Sequence, residues 1–275
     1  MDLSKATILI TGSTDGVGRL VATRLASAGT RVLLHGRSDE KARDVIGEIH
    51  RQTPNAQVEF HRADFASLAE VRRLAEEVSS AHDRLDVLIN NAGIGFGAPG
   101  TGRETSRDGH ELRFAVNYLA PFLLTHLLLP TLRRSAPARI VNVASIGQAP
   151  IDFDDLAMMR RYDGRTAYGR SKLALIMFTF DLAASLQGTG VTANAIHPAT
   201  LMNTHMVEEA AIRPQSTVEE GADAMLHVIR SDVSGRFFDG MREARAHAAA
   251  YDPKARRRLR EVSVELTGQP ADVAR

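Results

Sequence analysis

Short apolar runs rich in valine, isoleucine and leucine alternate along the chain with longer stretches in which apolar and polar residues mix. Apolar runs of about four to eight residues predict buried strands, whereas longer periodic stretches that begin at a capping residue predict helices. The strands predicted in this way are Ala6–Ile10, Arg31–His35, Gln57–His61, Asp86–Asn90, Arg139–Ala144, Val191–Ile196 and the short Arg236–Phe238. The predicted helices are Arg19–Ala28, Asp39–His50, Ser67–Ser80, Asp108–Arg134 with a bend before Pro121, Thr166–Gln187 and Thr217–Arg230.

The regular alternation of strand and helix determines the expected fold class. A strand–helix–strand rhythm builds a parallel sheet that helices cover on both faces. The sequence therefore predicts an α/β protein with one doubly wound parallel sheet of about seven strands. No linker, internal repeat or low-complexity segment interrupts the pattern, so residues 1–275 are expected to form one domain.

A glycine-rich turn follows the first predicted strand. It reads Thr11-Gly12-Ser13-Thr14-Asp15-Gly16-Val17-Gly18, and a predicted helix begins directly after it. Glycines let the backbone approach a pyrophosphate closely, and the positive N-terminal end of the helix attracts the phosphate charge. Strand, turn and helix in this order indicate a Rossmann-like dinucleotide site, although the spacing Thr-Gly-x-x-x-Gly-x-Gly differs from the usual fingerprint. The alternative is a turn of purely structural use.

Tyr168 and Lys172 form the most informative pair in the sequence. They are four residues apart in Tyr168-Gly169-Arg170-Ser171-Lys172, so a helix places them one turn apart on the same face. A nearby cation lowers the pKa of a phenol, which lets tyrosine act as general acid or base near neutral pH. For the pair alone, the alternative is a solvated helix face.

Composition and charge exclude several other classes of protein. The chain has 275 residues and a formal net charge of +1, which gives no electrostatic footprint for nucleic acid. It contains no cysteine, which excludes disulfides, thiolate catalysis and cysteine-ligated zinc. The ten histidines show no metal-ligand spacing with carboxylates, so no metal site is expected. Without a basic-then-apolar leader or an apolar run of about 20 residues, a cytoplasmic protein with no membrane span is expected.

Several motifs in a fixed order together resemble the short-chain dehydrogenase/reductase family. The resemblance covers Lys5 to Asp239, and the turn spacing is similar to that of the compact oxidoreductase branch. The motifs are the glycine-rich turn, Asp64 after the third strand, Asn90-Asn91-Ala92-Gly93 after the fourth, Asn117 in the long helix, Ser145 after the fifth, Tyr168 with Lys172, and His197-Pro198-Ala199-Thr200 after the sixth. The segments Asp152–Leu156, Ser171–Ala174 and Gly235–Phe238 further resemble the retinol-dehydrogenase-like and WW-domain-oxidoreductase-like members.

The resemblance implies a catalytic role for four of these residues, Asn117, Ser145, Tyr168 and Lys172. Ser145 would hold the substrate oxygen, and Asn117 would use its main-chain carbonyl to hold a water behind Lys172. Cofactor contacts would come from Gly12 to Gly18, Arg37, Ser38, Asp64, Phe65, Asn91, Ala92, Gly93, Tyr168, Lys172, Pro198 and Thr200. A turn-forming role for Asp64 and a plain strand-to-loop turn at Asn90–Gly93 are the alternatives. Pro198-Ala199 replaces the Pro-Gly of the family pattern.

The end of the second strand indicates which nicotinamide cofactor binds. An acid there would hydrogen-bond the adenosine ribose and select NAD, but Arg37-Ser38 follows the strand instead. Arg37 can pair with the 2′-phosphate of NADP, and Ser38 can donate a hydrogen bond. Asp15 occupies a position at which some relatives carry a second basic residue, so Arg37 is expected to act largely alone, with Ser13 as a helper. NADP(H) is therefore the expected cofactor.

The functional hypothesis is an NADP-dependent oxidoreductase that interconverts a carbonyl and an alcohol, with a small-molecule and lipophilic substrate. The rivals are a catalytically silent NADP-binding sensor or scaffold, and a relative acting on a C=C bond or a sugar nucleotide. Substrate loops are expected at about 146–166 and 200–216, and a C-terminal extension at about 241–275.

The predicted helix Thr166–Gln187 contains Leu173 to Phe178, which is apolar on every side. A helix that packs on a sheet needs only one apolar stripe, so a second cover is expected. The resemblance implies that a second subunit covers it, in a homodimer or homotetramer. The alternative cover is the segment Met241–Arg275 of the same chain.

Overall fold

The structure is a computed structural model that describes residues 2–54 and 56–269. Its strands are β1 (Thr7–Ile10), β2 (Arg31–Gly36), β3 (Val58–Arg62), β4 (Val87–Asn90), β5 (Ala138–Val143), β6 (Val191–His197), β7 (Phe237–Asp239) and β8 (Arg242–Ala244). Its α-helices are α1 (Gly16–Ser27), α2 (Asp39–Gln52), α3 (Leu68–Ala81), α4 (Leu112–Phe114), α5 (Ala120–Arg134), α6 (Gly164–Ser185), α7 (His205–Glu209), α8 (Val218–Arg230) and α9 (Pro253–Thr267). Short 3-10 turns span Leu3–Lys5 and Ala248–Tyr251, and a π-helical turn, Ala115–Leu119, joins α4 to α5.

All eight strands belong to one sheet with the order β3-β2-β1-β4-β5-β6-β7-β8. The pairs from β3 to β7 are parallel, and β8 alone runs antiparallel, against β7. The strand order reverses between β1 and β4, which is where open α/β sheets bind their ligands, at the carboxyl ends of the strands. The predicted fold class is confirmed.

Helices cover both faces of the sheet because alternate residues of each strand point to opposite sides. Ile8 and Ile10 of β1 belong to the apolar cluster beneath α1 and α8. Leu9, between them, belongs to the other cluster, beneath α3, α5 and α6. Strands buried on both sides read as continuous apolar runs, which is why the central strands could be located in the sequence.

Three elements differ from the sequence prediction. The helix expected from Asp108 begins only at Leu112, because Glu111 caps it through its side chain, 2.7 Å from the amide of Phe114. Gly109 precedes it with φ 84°, a left-handed conformation that glycine tolerates. The eighth strand and the short α7, which lies in the predicted loop at 200–216, have no counterpart in the prediction.

The helical run Leu112–Arg134 is long and apolar enough to cross a membrane by length and composition, with a mean hydropathy of 1.4. The expectation that no such run exists is therefore wrong. In the structure, 83% of the most apolar 18-residue window of this segment is buried inside the protein, and α5 packs against the sheet, α3 and α6. A core helix of a large α/β protein satisfies the same criterion as a membrane span.

The C-terminal segment packs on α6. The 3-10 turn Ala248–Tyr251 and helix α9 both contact α6, and the Tyr118 hydroxyl lies 2.6 Å from Ser263 Oγ of α9. Because Ser263 Oγ already donates to the Leu259 carbonyl, Tyr118 is the donor in this pair. The alternative cover for the apolar helix is thus present in one chain; residues 270–275 of the predicted extension lie outside the described residues.

Candidate active site

The glycine-rich turn lies at the switch point of the sheet, between β1 and β4. Gly12 has φ 63°, and a Cβ atom there would lie 2.7 Å from Cα of Ala92. Asn91 holds the two segments together, because its Nδ2 donates to the carbonyls of Thr11 and Gly12 at 2.9 Å. The backbone of the turn therefore lies so close to the end of β4 that only glycine fits at position 12.

A buried histidine that the sequence analysis did not select supports this turn. His35 Nδ1 accepts a hydrogen bond from the amide of Gly12 at 3.1 Å, and its Nε2 lies 3.1 Å from the Ala63 carbonyl. Burial lowers the pKa of His35 to about 4, so the ring is neutral at pH 7. One nitrogen then accepts and the other donates. A lone histidine at a strand end carries no sequence signal for this role.

The first turn of α1 has the donor chemistry that a pyrophosphate requires. Asp15 caps the helix and accepts from the amide of Gly16 at 2.8 Å. The amides of Val17 and Gly18, in the first turn, have no acceptor within the helix itself. Together with the helix dipole, these amides fit the phosphates of a dinucleotide.

Ser13 does not face this site. Its side chain is fully buried, and its Oγ accepts a hydrogen bond from the amide of His35 at 3.0 Å. The Ser13 amide donates to the His35 carbonyl. The structure therefore gives Ser13 a role in joining β1 to β2, and not the expected role as a helper of Arg37.

Arg37 is exposed at the end of β2 and, among the described residues, makes no hydrogen bond or ion pair. Ser38 caps α2, with its hydroxyl 3.2 Å from the amide of Lys41. The ammonium of Lys41 lies 2.8 Å from a carboxylate oxygen of Asp15. Helix α2 therefore brings a second cation, Lys41, to Asp15 and offsets the charge of that carboxylate, while the expectation that Arg37 acts largely alone on a 2′-phosphate stays a prediction.

Asp64 and Phe65 follow β3 as expected, but both are also held by the protein. The Asp64 carboxylate accepts from the amide of Ala66 at 3.0 Å, as a turn-forming aspartate does. The Phe65 ring is buried and stacks on His35 with 4.3 Å between ring centres. This geometry supports the turn-former alternative for Asp64, while its side chain stays partly exposed.

Ser145 and Tyr168 meet beyond the end of β5. Ser145 Oγ and the Tyr168 ring both lie next to Gly147, and Ser145 Oγ accepts from the amide of Gly147 at 3.0 Å. Phe96 packs edge-on against the Tyr168 ring, with 5.7 Å between ring centres. Burial raises the pKa of Tyr168, although the Ser145 hydrogen bond opposes this. The prediction that a neighbouring cation lowers the pKa of Tyr168 is therefore wrong for the protein alone.

Lys172 lies one turn beyond Tyr168 on α6, as predicted. Its Nζ donates to the Val143 carbonyl of β5 at 2.8 Å and lies 5.6 Å from the centre of the Tyr168 ring. Burial lowers the pKa of Lys172 to about 8. A lysine with its ordinary pKa stays charged at neutral pH, whereas enclosure in the protein makes the charge of Lys172 dependent on pH near neutrality.

Asn117 lies within the π-helical turn, next to Lys172. Its side chain accepts from the amide of Ile94 at 2.8 Å and donates to Ser171 Oγ at 3.0 Å, which ties the loop after β4 to α6. The main-chain carbonyl of Asn117 lacks its usual α-helical donor, because the residue four positions on is Pro121, which has no N–H. Such π-helical turns occur frequently at functional sites.

Pro198 and Thr200 follow β6 as expected. Thr200 Oγ1 lies 3.0 Å from Nε2 of His197, and its carbonyl accepts from Ser216 Oγ at 2.6 Å. Both residues line an open cavity of about 470 Å³ between β6, α8 and the β7–β8 turn. Ser145, Tyr168 and Lys172 do not line this cavity.

Apolar side chains surround the rim near Tyr168. Phe96 and Met206 are partly exposed, and Ile146 is 49% exposed. Residues 146–163 of the predicted loop form turns and irregular structure, and α6 begins at Gly164. Buried Arg113 fixes this rim: it donates to the Gly95 carbonyl at 2.9 Å and to the Tyr162 hydroxyl at 2.7 Å.

The sheet carries a dinucleotide-binding turn at its switch point, and Ser, Tyr and Lys side chains lie beside this turn. This combination defines a nicotinamide-dependent oxidoreductase. Comparisons with known proteins agree. Residues 6–214 match the family described as short chain dehydrogenase. Retinol dehydrogenase 13 of Mus musculus is 37% identical over 283 residues, which cover 95% of this chain and 84% of that protein.

Two solved structures are similar over most of their length. An uncharacterized protein of Mycobacterium paratuberculosis has a TM-score of 0.79 and 30% identity, covering 96% of this chain and 94% of that one. The Pseudomonas aeruginosa RhlG/NADP active-site complex has a TM-score of 0.70 and 29% identity, covering 86% and 96% respectively. The chain belongs to the short-chain dehydrogenase family.

Proposed function

We propose that the protein is an NADP(H)-dependent oxidoreductase that interconverts a carbonyl and an alcohol. The observation that supports this is the convergence of Ser145, Tyr168 and Lys172 beside the glycine-rich turn. Bound nicotinamide would supply or accept the hydride. The protein would supply the proton and hold the reacting oxygen.

The three side chains divide this work. Tyr168 gives its proton to the carbonyl oxygen during reduction, and its raised pKa keeps the phenol protonated at neutral pH. Ser145 Oγ accepts from the Gly147 amide, so its own proton is directed to the reacting oxygen. Charged Lys172, close to Tyr168, favours the phenolate that remains.

Preference for NADP is supported by the charges around the end of β2. Exposed Arg37 is available to a 2′-phosphate, and Lys41 offsets the negative charge of Asp15. The RhlG structure, which is similar to this chain, is described as a complex with NADP. An acid that would repel the phosphate is absent from positions 36–38.

A lipophilic carbonyl or alcohol is the substrate class that the rim favours. Phe96, Ile146 and Met206 present apolar surface close to Tyr168, and apolar pockets bind apolar groups by excluding water.

We propose one cofactor-binding domain that acts in the cytoplasm, consistent with the burial of the apolar segment Leu112–Arg134.

Two rival functions keep the same fold. A silent NADP-binding sensor or scaffold does not require Ser145, Tyr168 and Lys172 to meet, whereas this protein places all three together. A reaction on a C=C bond or a sugar nucleotide would use the same cofactor with a different substrate. The reaction products distinguish both rivals from the proposal: a silent protein forms no product, and the other reactions form different ones.

The test combines a substrate screen with a pair of variants. Purified protein is mixed with NADPH and a panel of ketones, aldehydes and enones, and consumption of NADPH is followed by absorbance. Tyr168→Phe should lower kcat by about 10²–10⁴-fold and change the Kd for NADPH only a little, because only the phenol hydroxyl is lost. Lys172→Ala should weaken both turnover and NADPH binding. Turnover of Tyr168→Phe at the wild-type rate would refute the mechanism.

A further inference from the structure

A cluster of imidazole and carboxylate groups lies at the edge of the sheet, away from the proposed active site. Glu59 and His61 are two residues apart on the edge strand β3, so their side chains point to the same face. His82, which ends α3, lies opposite them. One nitrogen or oxygen atom from each of these three side chains lies within 4.8 Å of the others.

Two nitrogen atoms in this cluster are buried without a hydrogen bond. Among the described residues, Nε2 of His61 and Nε2 of His82 have no hydrogen-bond partner, and His82 is only 7% exposed. Nε2 of His82 lies 3.3 Å from a carboxylate oxygen of Glu59, but not in hydrogen-bond geometry. Buried polar atoms without a partner cost free energy and call for an explanation, and a bound ion is one.

The charges around the cluster suit a cation. The ring nitrogens of His61 and His82 that lack a hydrogen-bond partner among the described residues are the atoms through which imidazole binds metals. The nearby acids are Glu59 and Glu77, and Glu77 lies 3.7 Å from Nδ1 of His61. Glu77 pairs closely with Arg73, at 2.5 Å, whereas Glu59 lies 3.8 Å from its nearest cation, Arg31, so Glu59 is the more available carboxylate ligand.

We propose that His61, His82 and Glu59 bind a divalent first-row transition metal ion, with zinc as the reference ion. Two imidazoles and one carboxylate are a ligand set that such ions accept, with water in the remaining position. Zinc ligands at about 2.0–2.1 Å in tetrahedral geometry lie about 3.4 Å from one another. The 3.3 Å between His82 and Glu59 already meets this spacing, and His61, whose ligand atom lies within 4.8 Å of the other two, would have to move closer to complete the site.

The position of the site suggests a structural role. The metal would connect the exposed edge of the sheet to the end of α3. The loop between these elements carries Asp64 and Phe65, and Phe65 stacks on His35. Metal binding is therefore expected to stabilise the edge strand and to raise the temperature of unfolding.

Cobalt and zinc binding to the tag-free full chain tests this proposal. Titration with Co²⁺ should give visible absorption bands that saturate at one ion per chain, and Zn²⁺ should displace them. Glu59→Gln and His82→Ala should each weaken metal binding by at least about tenfold. Loss of a residue that only supports a metal ligand already weakens binding by about 10–100-fold, and these variants remove a ligand itself. His205→Ala is the matched control, since the His205 side chain is 77% exposed and lies outside the cluster.

Thermal unfolding gives a second readout. Zn²⁺ should raise the Tm of the wild type and of His205→Ala, but not that of Glu59→Gln. Absence of saturable binding, or equal binding by the wild type and Glu59→Gln, would overturn the proposal. If His82→Ala does not fold, Glu59→Gln still decides, because the Glu59 side chain is 44% exposed and tolerates the change.

Discussion

Single residues decide which protons can move in this site. Lys172 is enclosed between β5 and Tyr168, and its pKa of about 8 makes its charge sensitive to modest changes in pH. The pKa of Tyr168 shifts in the opposite direction, because burial raises it and keeps the phenol protonated. The phenol therefore holds its proton at neutral pH, and the lysine is the group that titrates near this range.

This difference predicts the pH profile of carbonyl reduction. Below about pH 8 Lys172 is charged and Tyr168 is protonated, so kcat/KM should be level there and should fall as pH rises past 8. The profile is measured from pH 6 to 10 with saturating NADPH. In Lys172→Arg, whose guanidinium stays charged, the remaining activity should not show this fall. A wild-type rate that increases above pH 8 would contradict the assignment.

Cofactor choice also depends on single residues. Arg37→Ala should weaken NADPH binding by about 1.5–3 kcal/mol, the value of a charged hydrogen bond, and leave NADH binding nearly unchanged. Lys41→Ala should weaken NADPH binding in the same selective way, because the Asp15 carboxylate loses its ion pair. Both are measured by titration at one ionic strength.

Arg43→Ala is the control for these variants, because Arg43 is exposed on the same helix, α2. It should bind both cofactors as the wild type does. Equal Kd values for NADPH and NADH in the wild type would disprove the proposed preference.

His35 predicts a pH dependence of folding stability. Its pKa is about 4 in the folded protein against about 6.5 when unfolded, so the unfolded chain binds more protons between these values. The contribution of His35 is complete above pH 6.5 and is lost as pH falls towards 4. The free energy of unfolding of the wild type should decrease over this range more steeply than that of His35→Asn, which cannot titrate. Denaturant unfolding at several pH values measures the difference, and parallel slopes would count against the prediction.

At the scale of elements, the long helical run departs from α-helical geometry in the π-helical turn Ala115–Leu119, next to Lys172. Pro121 has no N–H, so the carbonyl of Asn117 lacks its α-helical donor, and we expect this carbonyl to hold a water. The sequence indicated a bend before Pro121, and the structure shows a widened turn there. We therefore predict that the shape of this turn supports proton transfer through Lys172.

Pro121→Ala tests this link. The new N–H can donate to the Asn117 carbonyl, which should lower kcat by at least about tenfold, a smaller loss than that of the acid itself. The free energy of unfolding should change by no more than about 1 kcal/mol, since a helical hydrogen bond is gained and a rigid residue is lost. Pro130→Ala, in the same helix α5 and exposed, should leave kcat unchanged. A Pro121→Ala enzyme with full activity would separate the carbonyl from the proton relay.

The elements that the sequence predicted are those with a strong local signal. Buried parallel strands are continuous apolar runs, and α2, α3 and α8 begin at capping serine or threonine residues: Ser38, Ser67 and Thr217. Strand β8, Arg-Glu-Ala, has no apolar pattern and forms only because the chain turns back along β7. The lowered pKa of Lys172 and the support from His35 could not be predicted, because both result from enclosure by distant segments.

At the scale of the whole molecule, α6 is enclosed by its own chain. Leu173 to Phe178 are at most 6% exposed in one copy, with the sheet on one side and α9 on the other. Asp181 of α6 pairs with Arg256 of α9 at 2.9 Å. The C-terminal segment thus occupies a face that the family resemblance assigned to a second subunit.

This enclosure predicts a monomer. Sedimentation velocity at micromolar concentration should give one species with the mass of a single chain, because the apolar face is already covered. Arg256→Glu, which places like charges together at α9 and α6, should loosen this cover and produce larger species. A stable wild-type dimer or tetramer at the same concentration would show that subunits associate through other surfaces.

The cover of α6 by α9 also has a consequence for synthesis on the ribosome. Roughly 70 residues separate the end of α6 from the start of α9, which at about 5–20 residues per second is a delay of several seconds. During that interval the glycine-rich turn and most of the sheet can form, while one apolar side of α6 stays open to water. The nascent chain therefore passes through a stage at which a chaperone or a neighbouring chain has access to α6. This stage ends when α9 emerges and packs on α6.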